Sequence, residues 1–224
     1  MSRASRGKAG ESLVTDKLSE IKLPHIVFND VTFVEGKTEM SHQIDHILIH
    51  PYGVFVIETK NYYGLIEIDP KTGAWTKTIR GKKERIFNPL SQNKSHARII
   101  SRHLGGKVPV IPVVVYVKDN QPYLPDDNVI GLSDLLPFIE AYPYPRIWKE
   151  AEMRRIKEIL ESHMSEVSNK EHVQNIRIMK QVRKEKEYEM SYAIERGICP
   201  RCGGKIISKD FAYHCSKCDF RFKL

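Results

Sequence analysis

Between Gln43 and Lys60 the chain reads as two apolar β-runs, QIDHILI and VFVIETK, joined by the turn Pro51-Tyr52-Gly53. So short a connection predicts an antiparallel hairpin, and the apolar character predicts that the hairpin lies inside a sheet. The polar interruptions constrain it further. Asp45 falls within the first run, where an unpaired carboxylate would be costly to bury. Glu58 and Lys60 end the second run two residues apart, which puts them on one face with Val54 and Val56, about 7 Å from each other at the strand rise. The hairpin brings Asp45 close to Glu58. Two carboxylates converging at strand ends make an oxygen-rich site suited to Mg²⁺ or Mn²⁺. A lysine beside them can orient a water or neutralise a phosphate, which is the set that phosphodiester hydrolysis needs. The plainer reading of the same residues is a strand-end cap at Asp45 and a surface ion pair between Glu58 and Lys60.

Helical and extended patterns surround this hairpin. Ala9 to Leu18 predicts a helix with Leu13, Val14 and Leu18 on one face and Glu11 in its first turn. Ile26 to Phe28 and Val31 to Val34 predict a strand and its continuation around Asn29-Asp30. Val108 to Val117, the longest uncharged apolar run at about ten residues, holds two prolines and falls well short of the roughly 18 residues of a membrane span. It predicts a buried strand whose start, at Pro112, lies at an edge. Ile130 to Leu136 predicts a short strand and a helix start. Arg146 to Val167 predicts a helix with Ile147, Trp148, Ile156, Ile159, Leu160 and Met164 as its apolar stripe. Glu171 to Glu195 predicts a long charged helix carrying Val173, Ile176, Met179, Val182, Met190 and Ile194.

All four cysteines lie near the C-terminus. Cys199-Pro200-Arg201-Cys202 and Cys215-Ser216-Lys217-Cys218 are two CxxC knuckles, a spacing that lets four thiolates complete a tetrahedral Zn²⁺ site. Gly203-Gly204 offers the positive φ that a knuckle needs. A segment of about 28 residues has too little core to fold alone, so the zinc would be structural and would supply its folding free energy. Two disulfides are the rival arrangement. His214 abuts Cys215 as a bystander.

Charge suggests the partner. The 224 residues carry 36 Lys and Arg against 28 Asp and Glu, a net charge of +8 with a pI near 9.2. From Lys60 to Lys107 there are 11 basic and 3 acidic residues, and the last 28 residues hold 6 basic and 2 acidic. Basic blocks of this kind are the footprint of nucleic-acid binding, or else a generic solvated surface. The loop Thr76 to Arg85, with Lys77, Arg80, Lys82, Lys83 and Arg85, lies between the catalytic-type strands and the next helix, placed to clamp a phosphate backbone without reading sequence. The basic N-terminus, Met1 to Lys8, has no apolar stretch behind it, which predicts an intracellular, cytoplasmic protein without a secretory signal.

Two resemblances sharpen these expectations. CPRCGGKI and HCSKCDFRF, from Ile198 to about Phe222, resemble the zinc ribbons at the C-termini of bacterial type I topoisomerases. The resemblance implies contact with single-stranded or structured DNA, through stacking by Phe211, Tyr213, Phe220 and Phe222 and phosphate contacts by Lys205, Lys209, Lys217 and Arg221. The alternative is that those aromatics form the ribbon's small core. Asp45 and Glu58-Thr59-Lys60, with Gly10-Glu11, QIDH, FVIETKNY, Gly64-Leu65-Ile66, Trp75, Asn88-Pro89 and Gln92-x3-His96 in order, resemble the nuclease-related domain (NERD) family of the PD-(D/E)xK nuclease superfamily from about Gly7 to Val117. That resemblance implies a restriction-endonuclease-like α/β fold, a mixed sheet flanked by helices. It implies metal-binding carboxylates at Asp45 and Glu58, a catalytic lysine at Lys60, a supporting acid at Glu11 and a substrate-side or supporting glutamine at Gln92. His96 would pack or contact phosphate, and His42 and His46 would be structural. NERD domains are also found joined to topoisomerase-type ribbons.

The expected organisation is a nuclease-like core over 1–120, a mainly helical connector over 121–196, through which the chain would pair with a second copy if it is a homo-oligomer, and a four-cysteine zinc ribbon over 197–224. The expected function is Mg²⁺- or Mn²⁺-dependent hydrolysis of DNA phosphodiester bonds with low sequence specificity. The alternative is a non-catalytic DNA-binding module, or an RNA-directed nuclease.

Overall fold

The computed structural model describes residues 3–35, 40–122, 128–143, 147–165, 178, 181, 184–185, 188–209 and 212–223. The chain divides into two compact units, Met1–Val167 and Ser168–Leu224. The first is a mixed α/β unit. Its five-stranded sheet has the order β1 (Ile26–Glu35), β2 (Met40–His50), β3 (Gly53–Lys60), β7 (Val110–Tyr116), β8 (Val129–Gly131). The pairs β1/β2 and β2/β3 are antiparallel, while β3/β7 and β7/β8 are parallel. The expected hairpin is present, with His50 facing Gly53 across the Pro51-Tyr52 turn.

Helices cover both faces because the strands are apolar on both. On one face α1 (Arg3–Leu18) and α3 (Leu135–Glu140) bury Val14, Leu18, Leu135 and Ile139 against Leu48, Phe55, Ile57 and Val113. On the other, α2 (Pro89–His103) and α4 (Glu150–Glu161) bury Ala97, Ile100, Ile156 and Leu160 against Ile47, Ile49, Val54 and Val56. Leu13, expected with Val14 and Leu18, instead faces outward. The helix expected over 146–167 is shorter. It begins after Lys149, whose backbone N–H donates to the Glu152 carboxylate (2.9 Å), and it stops near Ser162, after which Met164 bridges to Phe33 of β1. Met153, Ile156 and Leu160 are buried and Ile147 and Ile159 exposed. The segment read from sequence as the start of a connector thus supplies β8, α3 and α4 to the sheet's own unit. Pro112 lies on a central strand rather than an edge strand, yet β8 pairs only from Val114 onward, and the Asn128 side chain donates to the Pro112 carbonyl (2.9 Å) just below that point.

The basic segment read as a loop is itself folded. β4 (Leu65–Ile68), β5 (Trp75–Ile79) and β6 (Lys82–Arg85) form a small antiparallel sheet. The β5–β6 turn has φ of 49° at Arg80 and 75° at Gly81, the double positive φ that a two-residue hairpin turn favours. Ile66 and Trp75 anchor this sheet to Val114, Tyr116 and Val129.

Asn93 fixes α2 to the central sheet. It is fully buried, and its amide donates to the carbonyls of Val56 (2.9 Å) and Val113 (2.8 Å) on two neighbouring parallel strands. Replacing it with leucine removes the donor from both carbonyls. At roughly 1–3 kcal/mol for an unsatisfied buried polar group, Asn93→Leu is expected to lose about 2–4 kcal/mol in urea unfolding. A change below about 0.5 kcal/mol would contradict this role.

In the second unit, helical residues 188–195 lead to an antiparallel three-stranded sheet in the order β11 (Arg221–Lys223), β10 (Ala212–Cys215), β9 (Ile206–Lys209). Of the apolar positions expected on the long charged helix, Met190 and Ile194 pack with Cys199 and Ile206. Val173, Ile176, Met179 and Val182 lie outside the described residues.

Candidate active site

The site is built where β2 and β3 part. Their pairing runs from His50–Gly53 to His46–Ile57 and ends there. Beyond it β2 continues beside β1 through Ile44, Gln43 and His42, and β3 continues beside β7 through Glu58, Thr59 and Lys60. Asp45 stands in this fork. Its Oδ2 accepts from the Thr59 backbone N–H at 2.8 Å, filling the place of a ladder bond between the two strands. A kink lies beside it. Asp30 on β1 has φ of 53°, a left-handed conformation that aspartate tolerates better than most residues. The kink explains why Ile44 and Ile47, three residues apart, share one core cluster: the alternation changes face at Asp30 and Asp45.

Glu58 is 3% exposed, and its Oε1 accepts from the Lys60 ammonium. Its Oε2 lies 3.5 Å from His96 Nδ1 on α2, without hydrogen-bonding geometry, and has no hydrogen-bond partner. Burial would raise the Glu58 carboxyl, but Lys60 and His96 outweigh it and hold the group below its ordinary range. Burial also works against the Lys60 charge, and Glu58 outweighs it, so Lys60 stays an ammonium throughout the neutral range. Asp45 shifts the other way. Burial, then the charge of Glu58, push it up to about 8. It therefore holds a proton at neutral pH unless a cation takes the proton's place. An orphaned, buried Glu58 oxygen beside a carboxyl pushed up in this way is a donor set that fits a hard divalent cation.

The remaining expected residues occupy distinct places. Glu11 is half-buried on α1, raised by burial and by Asp30, with Glu58 and Lys60 also within electrostatic reach. Its helix comes close because of Gly10, where an added Cβ would meet Asn61 Cβ at 2.8 Å. Gln92 is half-buried, one turn before His96 on α2. His96 is buried against Glu58 and edge-on to His42 at 6.1 Å, so of its two expected places it takes the packed one. His46 braces the fork from the opposite face. It is 1% exposed, and burial pushes it down to about 4, so it is neutral. Its Nδ1 lies 2.8 Å from Asn29 Oδ1 and its Nε2 3.2 Å from Thr59 Oγ1. With Nδ1 donating to the asparagine oxygen, Nε2 accepts from the threonine hydroxyl.

On the β5–β6 hairpin Arg80, Lys82, Lys83 and Arg85 are exposed. Lys77 is turned inward, 3.1 Å from Glu84 and over the Tyr62 ring. Its position on the packed face of β5 follows from pairing with Ile66, which no reading of an unstructured loop would reveal.

In the second unit the four cysteine sulfurs lie within 4.8 Å of one another, and no two are bonded. Cys199 and Cys218 are 3.8 Å apart and Cys202 and Cys215 are 3.4 Å apart. A tetrahedron with Zn–S bonds of about 2.3 Å has edges of about 3.8 Å, so the set fits zinc. Gly203 has φ of 70° as expected. Gly204 is needed for space instead, since a Cβ there would meet Cys215 Sγ at 3.0 Å. Tyr213, Phe220 and Phe222 pack around the cysteines as part of the small core, while Lys205, Lys217 and Arg221 are exposed. Phe211 and the Lys209 side chain lie outside the described residues.

No solved structure matches the chain. An uncharacterized protein of Bacillus anthracis is 36% identical over 145 residues, spanning 61% of this chain and 67% of that protein. Among the described residues no helix is long and apolar enough to cross a membrane. Residues 6–117, from α1 through the end of β7 and so including Glu11, Asp45, Glu58, Lys60, Gln92 and His96, match the nuclease-related domain, and the chain belongs to that family.

Proposed function

We propose that this protein hydrolyses DNA phosphodiester bonds with the help of Mg²⁺ or Mn²⁺ and with little sequence specificity. The observation that carries the proposal is the fork between β2 and β3, where Asp45, Glu58 and Lys60 meet and one buried Glu58 oxygen is without a hydrogen-bond partner. Asp45 and Glu58 would hold the cation, which supplies Lewis acidity toward the phosphate and lowers the pKa of bound water. Lys60, an ammonium with three N–H donors of which Glu58 takes one, donates to the attacking water or to a phosphate oxygen and offsets the charge that develops there. Glu11 and Gln92 would support the site from the two flanking helices. His46, from the far face, fixes Thr59 and through its backbone N–H the Asp45 carboxyl group. The exposed Arg80, Lys82, Lys83 and Arg85 would bind the phosphate backbone, an affinity that falls with salt and carries no sequence information. A Zn²⁺ held by Cys199, Cys202, Cys215 and Cys218 would fold the second unit, with Lys205, Lys217 and Arg221 adding phosphate contacts.

Mn²⁺ titration followed by the loss of the free-ion electron paramagnetic resonance signal tests the site apart from turnover. The zinc-loaded wild type is expected to take up Mn²⁺, and Asp45→Ala and Glu58→Ala are each expected to weaken that uptake at least about tenfold, the loss of one charged ligand. Equal uptake by all three would overturn the assignment.

A further inference from the structure

The second unit exposes an aromatic feature that the cysteine cluster does not absorb. Helical residues 188–195 present Met190 and Ile194 to the core around Cys199 and Ile206. Tyr188 and Tyr192 are each offset by two positions from that pair, about 200° around the helix, and so stand on the opposite face. They are 73% and 51% exposed. Their rings are nearly parallel, 13° apart in plane with centroids 6.5 Å apart. Lys184, four residues before Tyr188 in sequence, is exposed. Arg196, one turn after Tyr192, lies with its guanidinium 5.4 Å from the Tyr192 ring centroid and its Nη1 donating to the Tyr192 hydroxyl at 3.0 Å. The stripe therefore reads cation, ring, ring, cation at four-residue spacing.

We infer that this stripe is a stacking platform for single-stranded DNA, with Tyr188 and Tyr192 taking unpaired bases and Lys184 and Arg196 the adjoining phosphates. The inference rests on the nucleic-acid reading of the chain proposed above. It places the stacking residues on the helix leading into the cysteine unit, whereas the unit's own Tyr213, Phe220 and Phe222 are used in its core. Bases present flat apolar faces only when unpaired, which is why exposed parallel rings select single strands over duplex. The charge of the region agrees: residues 168–224 hold 13 Lys and Arg against 7 Asp and Glu, a net +6. Glu185, Glu189 and Glu195 border the stripe, so its contribution comes from stacking first and charge second, and depends less on salt than the phosphate contacts do.

The test uses the zinc-loaded chain of residues 1–224 carrying Glu58→Gln to prevent cleavage, with fluorescence anisotropy of a labelled 20-nucleotide oligo-dT, the matching oligo-U, and a duplex of equal length. Tyr188→Ala/Tyr192→Ala is expected to weaken oligo-dT binding by about tenfold or more, and duplex binding by less than about threefold. Tyr188→Phe/Tyr192→Phe is expected to keep binding within about threefold, since the ring face and not the hydroxyl makes the contact. Both tyrosines are exposed, and unchanged zinc content shows that the variants fold. Equal oligo-dT binding by wild type and the alanine pair overturns the platform while leaving the nuclease reading intact. A stronger effect of the alanine pair on oligo-U than on oligo-dT overturns the choice of DNA. A change in sedimentation without a change in DNA binding reassigns the stripe to self-association. Wild type that binds none of the three probes removes the nucleic-acid reading on which the inference rests.

Discussion

Glu58→Ala, Asp45→Ala and Lys60→Ala are each expected to lower metal-dependent DNA cleavage by about a thousandfold or more while changing DNA binding by less than about threefold. The magnitude follows from what each group does. Removing one preorganised electrostatic group from a phosphoryl-type transition state costs roughly 10²–10³ in rate, and losing a metal ligand compounds that loss. Glu58 is expected to be the most sensitive, because it is the one group that touches the lysine and lies near His96 while keeping an oxygen to spare. The variants separate further by their cause. Asp45→Asn keeps the shape of the side chain and an acceptor for the Thr59 N–H, so it is expected to fold normally and still fail to cleave. Lys60→Ala removes a cation from beside a buried carboxylate, so Glu58 is expected to rise toward the neutral form as well. Cleavage within about tenfold of wild type in all these variants would contradict the roles given to them.

Removal of zinc is expected to have the second largest effect, confined to residues 168–224. Among the described residues the core of this unit is small: Ile194, Cys199, Ile206 and Ala212 are buried, with Met190 and a few aromatics packed against the cysteine cluster. Such a core is too small to offset the chain entropy of folding, so a metal bound by four thiolates would supply the difference, on the order of 10 kcal/mol at neutral pH. Dialysis against a chelator, or Cys199→Ser with Cys202→Ser, is expected to abolish protection of β9, β10 and β11 from hydrogen exchange. The strands β2, β3 and β7 should keep theirs, because their core belongs to the other unit. Unchanged protection of the cysteine unit after complete metal removal would contradict a structural zinc. Loss of protection in both units together would contradict their independence.

The features legible in the sequence are those whose physics is local. Strand alternation around a two-residue turn gives the β2–β3 hairpin, and the i and i+2 spacing gives Glu58 and Lys60 a common face. The cysteine spacing gives the sulfur cluster. What escaped depends on neighbours far along the chain. Thr76 to Arg85 looks like a basic loop because its charges mask a hairpin, and only pairing with β4 turns Lys77 inward. His96 reads from sequence as either a packed residue or a phosphate contact, because the helix pattern does not say which side of α2 meets Glu58. Asn93 looks like an ordinary polar helix residue, although it ties α2 to two strands. The Asn29-Asp30 interruption in β1 is a partial exception: it signalled a break, and the left-handed Asp30 makes it the point where the strand changes face.

The decisive measurement is cleavage of supercoiled plasmid and of linear single- and double-stranded DNA by the zinc-loaded wild type, with Mg²⁺, with Mn²⁺ and with no added divalent ion, beside Glu58→Ala. Cutting is expected to require Mg²⁺ or Mn²⁺ and to disappear in the variant. Tight DNA binding with no cutting by the wild type under either metal would overturn the nuclease reading and leave a DNA-binding module whose Asp45, Glu58 and Lys60 do not turn over.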